Sequence, residues 1–134
     1  MLPDADSPQA WLRFARSDFF VAENKLHESM FETHCFHAQQ CVEKCLKAMM
    51  VDLKYLPIPR THDLSQLLNI LSNTIKDIPE GIMESASLSL YAVESRYPGF
   101  DDPVTEEEWK EAIRTAKTVL NWATSEITST ENDE

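Results

Sequence analysis

Four groups of side chains in this sequence have the types and spacing to do chemistry. His34, His37 and Cys41 lie three and four residues apart, with Cys45 one turn further on, so on a helix they line one flank. Imidazole and thiolate at these offsets can share a transition metal. Beyond His27 and His62, however, no second Cys/His pair stands on another element, and Cys45 falls within an apolar stripe, where a thiol behaves as a small hydrophobe. The expectation is therefore no metal and no cofactor, with the two histidines at a bundle edge or a dimer contact.

Arg60 and His62 stand together at the start of a helix. Arginine can hold a phosphate, histidine can move a proton near neutral pH, and a helix N-terminus adds backbone donors for an anion. The plainer reading gives His62 only the task of fixing the turn after Pro59. Arg96 and Tyr97 precede the helix-stopping pair Pro98-Gly99, beside an acidic loop, where Arg96 can pair with a carboxylate or bind a phosphate. The ligand- or phosphate-binding candidates are thus Arg60, His62, Arg96 and Tyr97, and the catalytic candidates are His62 and Arg96. Asp18 is a structural polar candidate. It lies near the centre of its helix's apolar stripe, where a carboxylate needs pairing or hydrogen bonds. Arg96, His62 and Tyr97 are its expected partners; a half-solvated place at the bundle end is the alternative.

Periodicity places these residues on five helical segments. The first spans about Ser7 to Glu28, with Ser7 as N-cap, Pro8 at the first helical position and a stripe of Trp11, Ala15, Phe19, Ala22 and Leu26. The second spans about Glu32 to Leu53. Its stripe is Cys35, Ala38, Val42, Cys45, Leu46, Met49 and Leu53, and Gln40, Lys44 and Lys47 fall on the opposite face, solvated or used in a contact. The third has Thr61 as N-cap and a Leu64, Leu67, Leu68, Leu71 stripe. The fourth spans about Pro79 to Glu94 with Ile82, Ala86, Leu90 and Val93. The fifth opens on a capping box, Thr105 with Glu108, and carries Trp109, Ile113, Ala116, Leu120, Ala123 and Ile127. These elements predict an all-α, up-and-down bundle in one domain over residues 1–134, with its core at about 7–128 and a frayed acidic tail at 129–134.

Composition narrows the function classes. The formal net charge is −11, so overall electrostatics give no help in approaching a phosphate backbone. The three cysteines, all on one helix, read as reduced thiols. With no basic-then-apolar leader and no apolar stretch near the ~18 residues needed to span a bilayer, the expectation is a soluble cytoplasmic protein with no membrane contact. Glycine-rich phosphate loops, nucleophile elbows, His-Glu-x-x-His and dinucleotide fingerprints are missing.

The order Phe36-x-Ala38-Gln39-Gln40-x-Val42-Glu43-Lys44-x-Leu46-Lys47-Ala48, then Pro59-x-Thr61-His62-Asp63-Leu64, then Ser95-Arg96-Tyr97-Pro98 resembles the HEPN domain, named for higher eukaryotes and prokaryotes nucleotide-binding. The resemblance runs from about Trp11 to Ile127. It implies a four-helix bundle with an additional short helix, and a homodimer. It also implies, for small prokaryotic members, a minimal nucleotidyltransferase partner, in some cases as a toxin–antitoxin pair. Many other HEPN proteins are metal-independent ribonucleases using an Arg followed, after four to six residues, by a His. In this chain that spacing from Arg96 gives Asp101, Asp102 and Pro103, and no other Arg has a His there. Arg96 therefore carries over only as part of the Arg-Tyr-Pro step.

The reading that results is a homodimeric interaction protein bound to a nucleotidyltransferase, with Phe20 and Trp122, off their helices' stripes, as exposed aromatics at the contact. The alternatives are a divergent metal-independent ribonuclease, with His62 as acid/base and Arg96 stabilising charge on an RNA phosphate, and a nucleotide-binding module.

Overall fold

In the computed structural model the apolar periodicity resolves into helices throughout, and no strand occurs among the described residues, 6–92 and 102–132 with side chains to residue 128. The elements are α1 (Pro8–Glu23), α2 (Phe31–Asp52), α3 (Leu64–Ser72), α4 (Glu80–Met83) running directly into a 3-10 segment (Glu84–Tyr91), and α5 (Glu106–Asn132). The ends anticipated from side chains form as such. Ser7 Oγ accepts from the Ala10 N–H at 3.1 Å. Thr105 Oγ1 accepts from the Glu108 N–H, and Glu108 Oε1 from the Thr105 N–H, both at 3.1 Å.

The long helices converge at one end of the bundle. Phe31, opening α2, packs on Trp109 near the start of α5 with ring centroids 5.6 Å apart. Trp109 Nε1–H donates to the Ala22 carbonyl, in the last turn of α1, at 2.8 Å. α1 therefore runs antiparallel to both α2 and α5. α2 is central and touches α1, α5, α3 and the 3-10 segment. Its contacts with α1 and α5 are built from small residues: Ala15 and Ala22 on α1, Ala38, Cys41, Cys45 and Ala48 on α2, and Ala112, Ala116 and Ala123 on α5 are fully buried or nearly so. Short side chains let these backbones approach closely, while Leu46, Leu64, Leu67, Leu68 and Leu71 fill the wider space toward α3.

Several sequence expectations are corrected. α1 stops at Glu23, not Glu28, because its last carbonyls are claimed from outside the helix. Asn24 Nδ2 donates to Phe20 O at 2.7 Å, His34 Nδ1 to Val21 O at 2.7 Å and Trp109 to Ala22 O. Leu26 consequently lies in the turn and is exposed. The α3 cap is Asp63, whose Oδ1 accepts from the Ser65 N–H at 2.9 Å, while Thr61 Oγ1 accepts from the Asp63 N–H at 3.0 Å. The fourth helical segment is mostly 3-10 over its described residues, with Val93 and Glu94 lying outside them. Its three-residue period buries Ile82, Ser85, Leu88 and Tyr91 in strict i+3 succession and turns Leu90 outward. On α5 the buried stripe is Ala112, Ala116, Val119, Ala123 and Ile127. Trp122 packs partly buried against the core, so it is not an exposed aromatic. Leu53, just past α2, is exposed as well.

Candidate functional site

The polar face of α2 carries the site. Gln39, Glu43 and Lys47 recur every four residues and so form one ridge along the helix. All three are buried, which is why Lys47 is not the solvated lysine its place opposite the apolar stripe suggests. The segment before α3 crosses this ridge. His62 Nδ1–H donates to Glu43 Oε1 at 2.9 Å, Lys47 Nζ donates to Glu43 Oε2 at 3.0 Å, and Gln39 Nε2 donates both to Glu43 Oε1 at 3.3 Å and to the His62 carbonyl at 3.2 Å. Burial pushes the Glu43 carboxyl's pKa up. The hydrogen bonds from His62 and Lys47, the Lys47 charge and the Gln39 hydrogen bond together outweigh it, leaving the carboxyl below its ordinary 4.5. An ionised carboxylate thus sits beneath an exposed imidazole: Glu43 is 5% exposed and His62 66%.

A second carboxylate is held one quarter-turn around α2. Asp18, from α1, accepts from His37 Nδ1–H through Oδ1 at 2.9 Å and from Lys44 Nζ through Oδ2. Its partners are therefore His37 and Lys44 of the adjoining helix, not His62; Arg96 and Tyr97 lie outside the described residues. Asp18 is 12% exposed, Lys44 24% and His37 26%, so this cluster closes the α1–α2 seam near the surface. It also occupies His37, one member of the His34, His37, Cys41 flank. His34 is buried, with Nδ1 on the Val21 carbonyl and Nε2 2.7 Å from Ser29 Oγ, so it sits inside the bundle, not at its edge. Cys41 and Cys45 are buried free thiols, and the Cys45 thiol is pushed well up, first by its hydrogen bond with Cys41 and then by burial. That environment makes an unreactive thiol. Among the described residues no three His, Cys, Asp or Glu are grouped to hold a metal ion.

The structure does not build the anticipated anion cradle at α3. Arg60 and His62 are both exposed at its mouth. The backbone donors there are already taken: Leu64 N–H by Ser89 Oγ at 3.0 Å, Ser65 N–H by Asp63 Oδ1, and Gln66 and Leu67 N–H by the Asp63 carbonyl. The Asp63 carboxylate adds negative charge at the same point. The residues that sequence reasoning missed are Gln39, Glu43 and Lys47. Their one available signal was the i, i+4, i+8 run of polar residues, which forms a single ridge along the helix.

Comparison with known proteins agrees with this architecture. The HEPN domain matches residues 8–127. A crystal structure of TT1696 from Thermus thermophilus is similar with a TM-score of 0.74 and 29% identity, over 88% of this chain and 96% of that one. A crystal structure of ST0689, described as an archaeal HEPN homologue, is similar with a TM-score of 0.71 and 27% identity, over 90% of this chain and 98% of that one. Curated proteins give no match. Matched over nearly its whole length, the chain belongs to the HEPN domain family.

Proposed function

We propose that this chain is a homodimeric interaction subunit whose partner is a nucleotidyltransferase, in a toxin–antitoxin-like or nucleotide-related system. The observation that carries this reading is the outer face of α1. Phe14 and Phe20 stand 55% and 67% exposed, with Val21 beside them and Leu26 and Met30 exposed in the following turn. Apolar area of that kind on a small domain is the usual mark of a protein contact. Arg13 is 6.0 Å from the Phe14 ring, and Arg16 is exposed on the same helix. The two arginines set positive charge beside Phe14 in a chain of net charge −11, which suits a second copy's acidic surface. The nucleotidyltransferase rests on the habits of small prokaryotic HEPN proteins. A cytoplasmic setting fits the free buried thiols. No helix among the described residues is long and apolar enough to cross a membrane.

The test is light scattering with co-purification. The chain is expected at twice 15.4 kDa, and the Phe14→Asp, Phe20→Asp double variant at the single mass with its helical circular dichroism intact. A minimal nucleotidyltransferase, co-expressed, should co-elute with the wild type. A monomer at high concentration overturns the dimer, and failure to co-elute overturns the partner. Robust RNA cleavage abolished by Arg96→Ala overturns the whole reading in favour of a ribonuclease.

A further inference from the structure

We propose that Glu43 and His62 form a proton-transfer site, in which Glu43 fixes the ring and His62 Nε2 accepts a proton from a hydroxyl group of a bound neutral molecule. The site is separate from the α1 contact face and does not depend on it. An ionised carboxylate can only accept, so the ring nitrogen facing Glu43, Nδ1 at 2.9 Å, carries the hydrogen. In the neutral ring Nε2 then keeps its lone pair, and no partner for it is present among the described residues. Glu43 is kept ionised by donors on both oxygens. Gln39 holds the His62 carbonyl as well as Glu43, so the backbone and the ring of His62 are registered to the same rigid helix. Base, orienting carboxylate and supporting cation are the parts that general-base sites share.

His34 shows what a purely structural histidine looks like in this fold: buried, with both ring nitrogens engaged. His62 is opposite in both respects. The charges around it nearly cancel, with Glu43 and Lys47 paired on α2 and Arg60 and Asp63 flanking it in its own segment. The N–H groups of α3 are internally bonded. A neutral hydroxyl compound fits this setting better than a free phosphate.

Water and ethyl dichloroacetate are the hydroxyl donor and neutral acceptor with which to probe it; ethoxide is too poor a leaving group for imidazole to displace as a nucleophile, so the ring acts as a base. As water oxygen bonds to the ester carbonyl, its proton passes to Nε2. The bond to ethoxide then breaks as Nε2 returns that proton to the leaving oxygen, giving ethanol and dichloroacetic acid, whose remaining proton goes to solvent. The full chain is expected to hydrolyse the ester about tenfold faster than His62→Gln, less than a positioned base gives a bound substrate. Glu43→Gln should fall between the two. Equal rates for wild type and His62→Gln overturn the proposal. Should Glu43→Gln fail to fold, nitrogen-15 NMR of the wild type reads the positioning directly. Neutral His62 is expected with the hydrogen on Nδ1, and a hydrogen on Nε2 instead overturns it.

Discussion

The two carboxylates gripped by α2 have the same ingredients and different surroundings. Asp18 and Glu43 each accept a histidine Nδ1–H on one oxygen and a lysine on the other. Around Asp18 the three members have similar, modest exposure and join two neighbouring helices. Around Glu43 the carboxylate and lysine are buried on one helix, 5% and 9% exposed, and only His62, brought by a connecting segment, reaches solvent. The first arrangement closes a seam. The second grades from dry interior to water over one side chain, which is how a fold presents a single oriented group. The same residue types therefore take different roles according to the depth at which the backbone sets them.

The largest effect should come from breaking the deeper cluster. Glu43→Leu leaves Lys47 buried and unpaired, and is expected to reduce stability to urea by about 3 kcal/mol. Adding Lys47→Met should recover most of that, because a buried pair replaced whole by apolar residues is often neutral. If the double variant is no more stable than the single, the burial of Lys47 is not the cause. Asp18→Ala should cost less, about 1–2 kcal/mol, since His37 and Lys44 can turn to water when released. Equal losses for Asp18→Ala and Glu43→Leu would erase the distinction between seam and interior.

The smallest effect is on pH dependence. Glu43 has a folded pKa below its ordinary 4.5. Its contribution is therefore complete above the unfolded value and is lost as pH falls through the folded one, where the unfolded chain binds the proton more readily. Denaturation across pH 3 to 6 should show wild type losing more stability toward acid than Glu43→Gln does. Parallel profiles would mean that the carboxyl is not held ionised by the fold.

Much of this was legible along the chain. Ser7 and the Thr105–Glu108 box announce helix starts by local hydrogen bonds, and the α2 stripe from Cys35 to Met49 is buried as its spacing requires. The end of α1 was not, because the groups that claim its last carbonyls, His34 and Trp109, come from elsewhere in the sequence. The 3-10 period of residues 84–91 was also hidden, since short apolar runs fit 3.0 and 3.6 residues per turn nearly equally well. His62 was visible as a candidate by type. Its carboxylate partner was not, because Glu43 on a polar helix face reads as solvated until another segment is laid over it.

By itself, then, the sequence determined an all-helical domain, its main stripes and its membership of the HEPN family. Those depend on spacing within single helices and on the local chemistry of caps. Which histidine is buried and which stands out, which lysine is dry, and which carboxylate meets which imidazole were decided only by tertiary structure. Pairing and depth depend on how separate elements are laid against one another, and Glu43 and His62 stand nineteen positions apart in the sequence, just as Asp18 and His37 do.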